Sequence, residues 1–129
     1  MEFNHVALSV NNLDESTAFY QKHFGFVLDG TYQKPDGPRF CFLRKDAFRI
    51  ELFEFTDSKP PDDDQLNIKI IGLRHLAFKV GNLEETVETL KKSGLNFGAI
   101  VNGTSCKYYT FTTDPNGIAI ELYESNKKI

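Results

Sequence analysis

The chain has 129 residues, 40% of them hydrophobic, and a formal net charge of −3. This size and composition are typical of one globular domain with a substantial core. The slight acidic excess argues against nucleic acid as a partner, because that function needs clustered Lys and Arg. No segment approaches the roughly 18 consecutive apolar residues of a membrane span. The first residues show no secretory signal pattern, so we expect a cytoplasmic protein without a membrane partner.

The chain contains two copies of one sequence pattern, 70 residues apart. A His-x-Ala-x-x-Val segment begins at His5 and again at His75, and an Ile-Glu-Leu segment contains Glu51 and again Glu121. Self-similarity at a fixed spacing indicates duplicated structural units. Each copy alone would be marginally stable because of its length. We therefore expect the copies to pack into a single domain spanning residues 1–129.

Each copy is predicted to begin with a strand and a helix. In both His-containing segments, apolar side chains alternate with small or polar ones, which is typical of a strand whose two faces differ. Asn12 and Asn82 follow these strands and are suited to cap a helix, since acidic residues occupy the next turn. Gly25 and Gly94 are the predicted helix stops.

Three more strands are predicted in each copy, separated by turns rich in Pro, Asp, Asn and Gly. Those of the first copy span Phe26–Leu28, Arg39–Leu43 and Phe48–Phe55, and those of the second span Leu95–Val101, Lys107–Thr113 and Ile118–Tyr123. The pattern therefore predicts an α+β protein built from tandem βαβββ modules. The predicted boundaries are 1–56 for module 1, 57–70 for the linker and 71–129 for module 2.

The repeat also places two imidazoles and two carboxylates in equivalent positions. Alternation along the last strand of each copy puts Glu51 and Glu121 on the face opposite the apolar side chains, the face also assigned to His5 and His75. A carboxylate flanked by Ile and Leu is costly to bury unless it is paired or bound to a metal. We therefore predict that these four residues hold one divalent ion, for which Zn, Ni, Co, Fe and Mn all remain possible.

These motifs resemble the vicinal oxygen chelate superfamily, which includes glyoxalase I, epimerases, dioxygenases, fosfomycin-modifying enzymes and bleomycin-binding proteins. The resemblance is carried by the two His-x-Ala-x-x-Val openings and by the Asp-Pro-Asn-Gly-Ile-Ala-Ile-Glu-Leu-Tyr segment at 114–123, and it covers nearly the whole chain. It implies a curved mixed sheet around a metal cavity, as in the glyoxalase/bleomycin resistance/dioxygenase fold. The ligand order His, Glu, His, Glu of glyoxalase I matches His5, Glu51, His75 and Glu121.

The resemblance to glyoxalase I implies a lyase or isomerase that removes a proton alpha to a carbonyl through a metal-bound enediolate. Glu121 would act as the base, with Glu51 as the candidate on the opposite side of the substrate. The substrate stays unassigned, because Ser9 stands where glutathione-using relatives carry an Arg. Five further side chains, two aromatic and three polar or charged, are predicted to contact the substrate: Ser9, Phe53, Lys79, Lys107 and Tyr123.

Two alternatives belong to other functional classes. One is a non-enzymatic module that binds a small molecule or antibiotic, as bleomycin-binding proteins do, and the other is a fosfomycin-type metal-dependent transferase. The expected partners are a small-molecule substrate and a second copy of the chain in a homodimer. The four ligands would then come either from one chain or from two.

Overall fold

The computed structural model describes residues 1–126. The chain forms two units, Met1–Pro60 and Pro61–Ile129. Unit 1 contains β1 (Val6–Val10), α1 (Leu13–Phe24), β2 (Val27–Gln33), β3 (Arg39–Lys45) and β4 (Phe48–Glu54). Unit 2 contains β5 (Leu76–Val80), α2 (Leu83–Lys92), β6 (Val101–Asn102), β7 (Tyr108–Thr113) and β8 (Ala119–Glu124). The α+β class and the repeated βαβββ order are confirmed.

Each unit builds its own four-stranded mixed sheet. The strand orders are β1-β4-β3-β2 and β5-β8-β7-β6. In both sheets the first strand of the unit runs parallel to the last, and the remaining neighbours are antiparallel. The strand that follows each His therefore lies directly beside the strand that carries each Glu.

The helices begin where the sequence predicts. The side-chain oxygens of Asn12 and Asn82 accept hydrogen bonds from the backbone N–H groups of Glu15 and Glu85, at 2.9 and 3.0 Å. These caps satisfy backbone donors that a helix leaves free at its N-terminus. Helix α1 ends at Gly25, whose φ of 71° lies in the left-handed region that favours glycine.

Each helix covers the apolar face of its own sheet. The side chains that α1 buries are Leu13, Ser16, Tyr20 and Phe24, and those of α2 are Leu83, Val87 and Leu90. They pack with the buried phase of the strands, which includes Leu43, Ile50, Leu52, Ile120 and Leu122. The residues that alternate with these buried side chains, including Glu51 and Glu121, lie on the opposite face of each sheet.

Two predicted boundaries were wrong, whereas Gly94, with a φ of 106°, follows the C-cap Ser93 and ends α2 as predicted. Strand β2 continues well past Leu28 to Gln33. The predicted strand Leu95–Val101 is almost entirely irregular, since β6 contains only Val101 and Asn102. This segment is held to β7 by a backbone hydrogen bond from Gly98 N–H to the Phe111 carbonyl and by the hydroxyls of Thr110 and Thr112, which donate to the carbonyls of residues 98 and 96.

The segment between β4 and β5 contains neither helix nor strand. Within it Arg74 Nη2 lies 3.2 Å from Asp63 Oδ2, and the side chain of Asp64 accepts from the backbone of Leu66 at 3.0 Å. Asp63 and Asp64, two of the three consecutive acidic residues at 62–64, are thus engaged in local structure. In residues 1–126 no helix has the length and apolarity needed to cross a bilayer.

Candidate metal centre

Unit 1 brings one imidazole and one carboxylate together. His5 immediately precedes β1, and Glu51 lies on the parallel neighbour β4, opposite Ala7. His5 Nε2 is 3.4 Å from Glu51 Oε1. Glu51 is half-buried between the buried Ile50 and Leu52, as the alternation predicts. Parallel pairing of these two strands therefore creates the pair.

Unit 2 repeats this arrangement. Glu121 lies on β8 opposite Ala77, and His75 Nε2 is 3.5 Å from Glu121 Oε1. Local turn structure sets up β8: Asp114 is buried, and its Oδ1 accepts from the backbone N–H groups of Asn116 and Ile118. The Asp-Pro-Asn-Gly segment is thus a turn stabilised by the Asp114 side chain. It leads into β8, the strand beside β5 that carries Glu121.

Asn4 determines which nitrogen of His5 carries a proton. Its side-chain Oδ1 lies 2.6 Å from His5 Nδ1. An amide oxygen can only accept, so Nδ1 is the donor and, in the neutral ring, Nε2 presents a lone pair. That lone pair faces the Glu51 carboxylate, which is also an acceptor. Such a pair of acceptors is stabilised by a cation between them, either a proton or a metal ion.

The spacing of both pairs fits a metal better than a direct hydrogen bond. The distances of 3.4 and 3.5 Å exceed the usual length of an N–H···O bond. Two ligand atoms that each lie about 2.1 Å from one ion are roughly 3.0–3.4 Å apart at octahedral or tetrahedral angles. Imidazole nitrogen and carboxylate oxygen are ligands for Zn, Ni, Co, Fe and Mn. The residues therefore fit a divalent ion.

Neither unit supplies a complete ligand set by itself. Among residues 1–126, no unit holds a cluster of three or more His, Cys, Asp or Glu side chains that could bind an ion. Two protein ligands are fewer than the three or four that catalytic and structural transition-metal sites normally use.

One phenylalanine in each unit orients the imidazole, and the sequence analysis missed both. The rings of His5 and Phe42 are 5.3 Å apart with their planes at 87°, and those of His75 and Phe111 are 5.1 Å apart at 79°. Phe42 pairs with Glu51 across β3 and β4, and Phe111 pairs with Glu121. The two phenylalanines are 69 residues apart rather than 70, which hid their equivalence in the repeat.

Comparison with known proteins identifies the family of this chain. The family model for the glyoxalase/bleomycin resistance protein/dioxygenase superfamily matches residues 2–122. The chain belongs to this superfamily. Uncharacterized protein YwkD of Bacillus subtilis is 35% identical over 124 residues, which cover 94% of each chain. The glyoxalase family protein from Enterococcus faecalis has a crystal structure that matches at 28% identity and a TM-score of 0.82, covering 95% of this chain and 97% of that one.

A relative with a stated activity is more distant. The mitochondrial methylmalonyl-CoA epimerase of Dictyostelium discoideum is 30% identical over 91 residues, which are 69% of this chain and 55% of that protein. The superfamily includes lyases and isomerases, so both classes are compatible with the fold.

Four of the five predicted substrate-contacting residues of this superfamily member lie beside the pairs. Ser9 is the partner of Phe53 in the parallel ladder of unit 1, and Lys79 is the partner of Tyr123 in unit 2. Each couple lies two residues beyond the carboxylate-bearing position of its strand. They therefore occupy the same sheet face as the carboxylates.

Lys107 lies elsewhere. Its ammonium is 3.2 Å from Glu124 Oε2, and Glu124 Oε1 accepts from the backbone N–H of Leu83 at 2.9 Å, at the N-terminus of α2. These hydrogen bonds, first that from Leu83 and then that from Lys107, hold the pKa of Glu124 below its usual value. The ammonium thus faces a helix-capping carboxylate and not the His75–Glu121 pair.

Glu54 caps the N-terminus of α1, as Glu124 caps that of α2. Its Oε2 accepts from the backbone N–H of Leu13 at 2.7 Å. The sequence analysis did not identify Glu54 or Glu124, although their spacing of 70 residues and their place in the apolar phase of the last strand were visible. They are structural rather than ligand carboxylates.

The cysteines are separate free thiols. Burial raises the pKa of both Cys41 and Cys106, and the Glu121 carboxylate adds to the effect at Cys106. The remaining histidine, His23, lies in the last turn of α1, where burial and then Lys22 lower its pKa. These groups have no equivalents in the other copy, which sets them apart from the two pairs.

Proposed function

We propose that this protein is a divalent-metal-dependent, glyoxalase I-like lyase or isomerase that acts on a small carbonyl compound. The observation that carries the proposal is the presence of two equivalent His–Glu pairs, at 3.4 and 3.5 Å, one in each unit. A protein that used the fold only to bind an apolar molecule would have no need for charged, partly buried pairs at both positions.

The proposed ligands are His5, Glu51, His75 and Glu121, and the proposed ion is Zn, Ni, Co, Fe or Mn. A bound divalent ion would polarise the substrate carbonyl as a Lewis acid and stabilise negative charge that develops on its oxygen. The Asn4 hydrogen bond to His5 Nδ1 keeps Nε2 available for this role.

The catalytic step is proton removal from the carbon alpha to the carbonyl. Glu121 is proposed as the base, and Glu51 as the acid–base group on the other side of the substrate. Both carboxylates are only partly exposed, with 20% and 14% of the side chain accessible, so water is largely kept from them. Phe53 and Tyr123 would line the site, while Ser9 and Lys79 would contact polar parts of the substrate.

We further propose a cytoplasmic homodimer. Each half of the ligand set belongs to a separate unit, so a complete site forms either within one chain or between two. Mixing His5→Ala with His75→Ala distinguishes these cases by metal content. If each site takes unit 1 from one chain and unit 2 from the other, mixed dimers of the two variants contain some sites with all four ligands, and metal binding is partly restored. If each site lies within one chain, every site lacks one histidine and metal binding is not restored.

The test of function is an assay of the metal-loaded protein with methylglyoxal and a thiol, which is glutathione, bacillithiol or coenzyme A in turn. We expect turnover with at least one thiol, and a decrease in kcat of about 10²- to 10⁴-fold in Glu121→Gln, typical of the loss of a general base. His23→Ala serves as a control. A lack of turnover with every thiol, together with tight antibiotic binding, would favour the non-enzymatic alternative. Activity only in epoxide opening would favour the fosfomycin-type transferase.

A further inference from the structure

Arg49 lies on the same face of β4 as Glu51. Buried Ile50 and Leu52 alternate along this strand with Arg49, Glu51 and Phe53, which are half-buried. Successive residues on one face of a strand are roughly 6.7 Å apart. The carboxylate of the candidate centre therefore has a cation on one side and an aromatic ring on the other.

Arg49 is held next to the imidazole by a shared aromatic ring. Its guanidinium carbon lies 4.1 Å from the centre of the Phe42 ring, and the same ring meets His5 edge-on. A guanidinium over an aromatic face is a favourable and orienting contact. Nη2 is 3.5 Å from Asp29 Oδ2, while the buried Nε has no hydrogen-bond partner. The cation is thus fixed in place with donor capacity left over.

Arg49 shares its ion-pair partner with a second arginine. Asp29 is also the ion-pair partner of Arg44, at 3.9 Å, so two guanidinium groups share one carboxylate. Arg44 and Arg49 are direct partners across β3 and β4. The corresponding partners in unit 2 are Thr113 and Ala119. This pair of arginines is therefore specific to unit 1 and does not follow from the repeated fold.

On the other side of Glu51 lies a row of three aromatic rings from three adjacent strands. The ring of Phe40 is 5.1 Å from that of Tyr32, at an angle of 23°, and 5.4 Å from that of Phe53, at 33°. Tyr32 is 48% exposed. Rings with nearly parallel planes on one sheet face offer a flat apolar surface to a ligand.

We propose that Arg49 binds an anionic group of the substrate, a carboxylate or a phosphate, while the row of Tyr32, Phe40 and Phe53 contacts its apolar part. The substrate class is a small organic anion whose reactive carbonyl lies between the anionic group and an apolar body. The position of the reactive carbonyl rests on the function proposed above, whereas binding of the anion by unit 1 does not.

The test is calorimetric titration of the EDTA-treated protein with 3-phenylpropanoate, its uncharged amide and acetate. We expect 3-phenylpropanoate to bind about tenfold or more tightly than the amide, since a charge-assisted bond adds that much. It should also bind more tightly than acetate, which lacks the apolar body. Arg49→Gln should abolish the difference between acid and amide. Asp29→Asn should strengthen binding of the acid, because it frees the guanidinium groups.

Arg39→Gln is the matched control, as Arg39 pairs with Asp14 and shares the strand phase of buried Cys41 and Leu43. It should leave all affinities unchanged. Equal binding of acid and amide by the wild type, or a preference that persists in Arg49→Gln, would overturn the proposal. If Asp29→Asn does not bind the acid more tightly and Arg49→Gln keeps the preference for the acid, Arg49 serves only as an ion-pair partner of Asp29. Because the ion is absent, failure here is independent of any failure to detect metal-dependent turnover.

Discussion

The side-chain oxygen of Asn4 lies 2.6 Å from Nδ1 of His5. Since that oxygen can only accept, the hydrogen bond selects the tautomer in which His5 Nε2 carries a lone pair toward Glu51. Two neighbouring acceptors in unit 1 are thereby prepared for a cation. In unit 2 the equivalent imidazole and carboxylate, His75 Nε2 and Glu121 Oε1, lie 3.5 Å apart, but Arg74 stands in the place of Asn4.

Replacing Asn4 should weaken metal binding without removing any ligand. Loss of the partner of a metal-bound imidazole typically costs about 10- to 100-fold in affinity. We expect a decrease of that size in Asn4→Ala, measured by competition with a chelator of known affinity. Asn67→Ala is the control, because the Asn67 side chain accepts from the backbone N–H of Lys69 in the segment between β4 and β5. Equal affinities in Asn4→Ala and wild type would refute the role assigned to Asn4.

Glu124 should make the free energy of unfolding depend on pH. The Leu83 N–H and Lys107 lower the pKa of the Glu124 carboxyl in the folded state below its ordinary value of 4.5. A lowered pKa stabilises the fold above the unfolded-state value, and this stabilisation disappears as pH falls through the folded-state value. Glu124→Gln should therefore be less stable than wild type at pH 7, by an amount that shrinks as pH decreases below about 4.5.

Denaturant unfolding of both proteins between pH 3 and pH 7 measures this difference. The control is Glu88→Gln, which removes one negative charge from an exposed position of α2, the helix whose N-terminus Glu124 caps. It should have little effect on the free energy of unfolding. A difference that stays constant across the range would show that the charge of Glu124 does not contribute.

The two thiols should react slowly in the folded protein. Both cysteines are buried, and burial raises the pKa of each, so little thiolate is present at neutral pH. We expect alkylation by iodoacetamide at pH 7.5 to be at least about tenfold slower than in the chain unfolded by guanidinium, where mass spectrometry should find two labels. Rapid labelling of either cysteine in the folded protein would contradict this.

Local periodicity accounts for the parts of the fold that could be predicted from sequence. The two-residue alternation around Glu51 and Glu121 predicts which way each carboxylate points, because a strand has only two faces. The caps Asn12 and Asn82 likewise act within a few residues. Parallel pairing of first and last strands then brings each His to its Glu, at 3.4 and 3.5 Å.

The parts that could not be predicted depend on contacts between distant residues. The segment at 95–100 has an apolar strand-like composition, but the hydroxyls of Thr110 and Thr112 donate to its carbonyls and take up part of its hydrogen bonding to β7. Glu124 binds Leu83, 41 residues away. The sharing of one ion by both pairs likewise depends on packing between the units, which no local pattern encodes, so it remains a prediction.

Metal content measured by elemental analysis tests the central claim most directly. After loading with Zn, Ni, Co, Fe or Mn and removal of free ion, the wild type should retain one divalent ion per chain. His5→Ala, Glu51→Gln, His75→Ala and Glu121→Gln should each lose most of it, whereas His23→Ala should keep it. Equal metal content in the wild type and all four ligand variants, or no bound ion in the wild type with any of the five metals, would contradict the account.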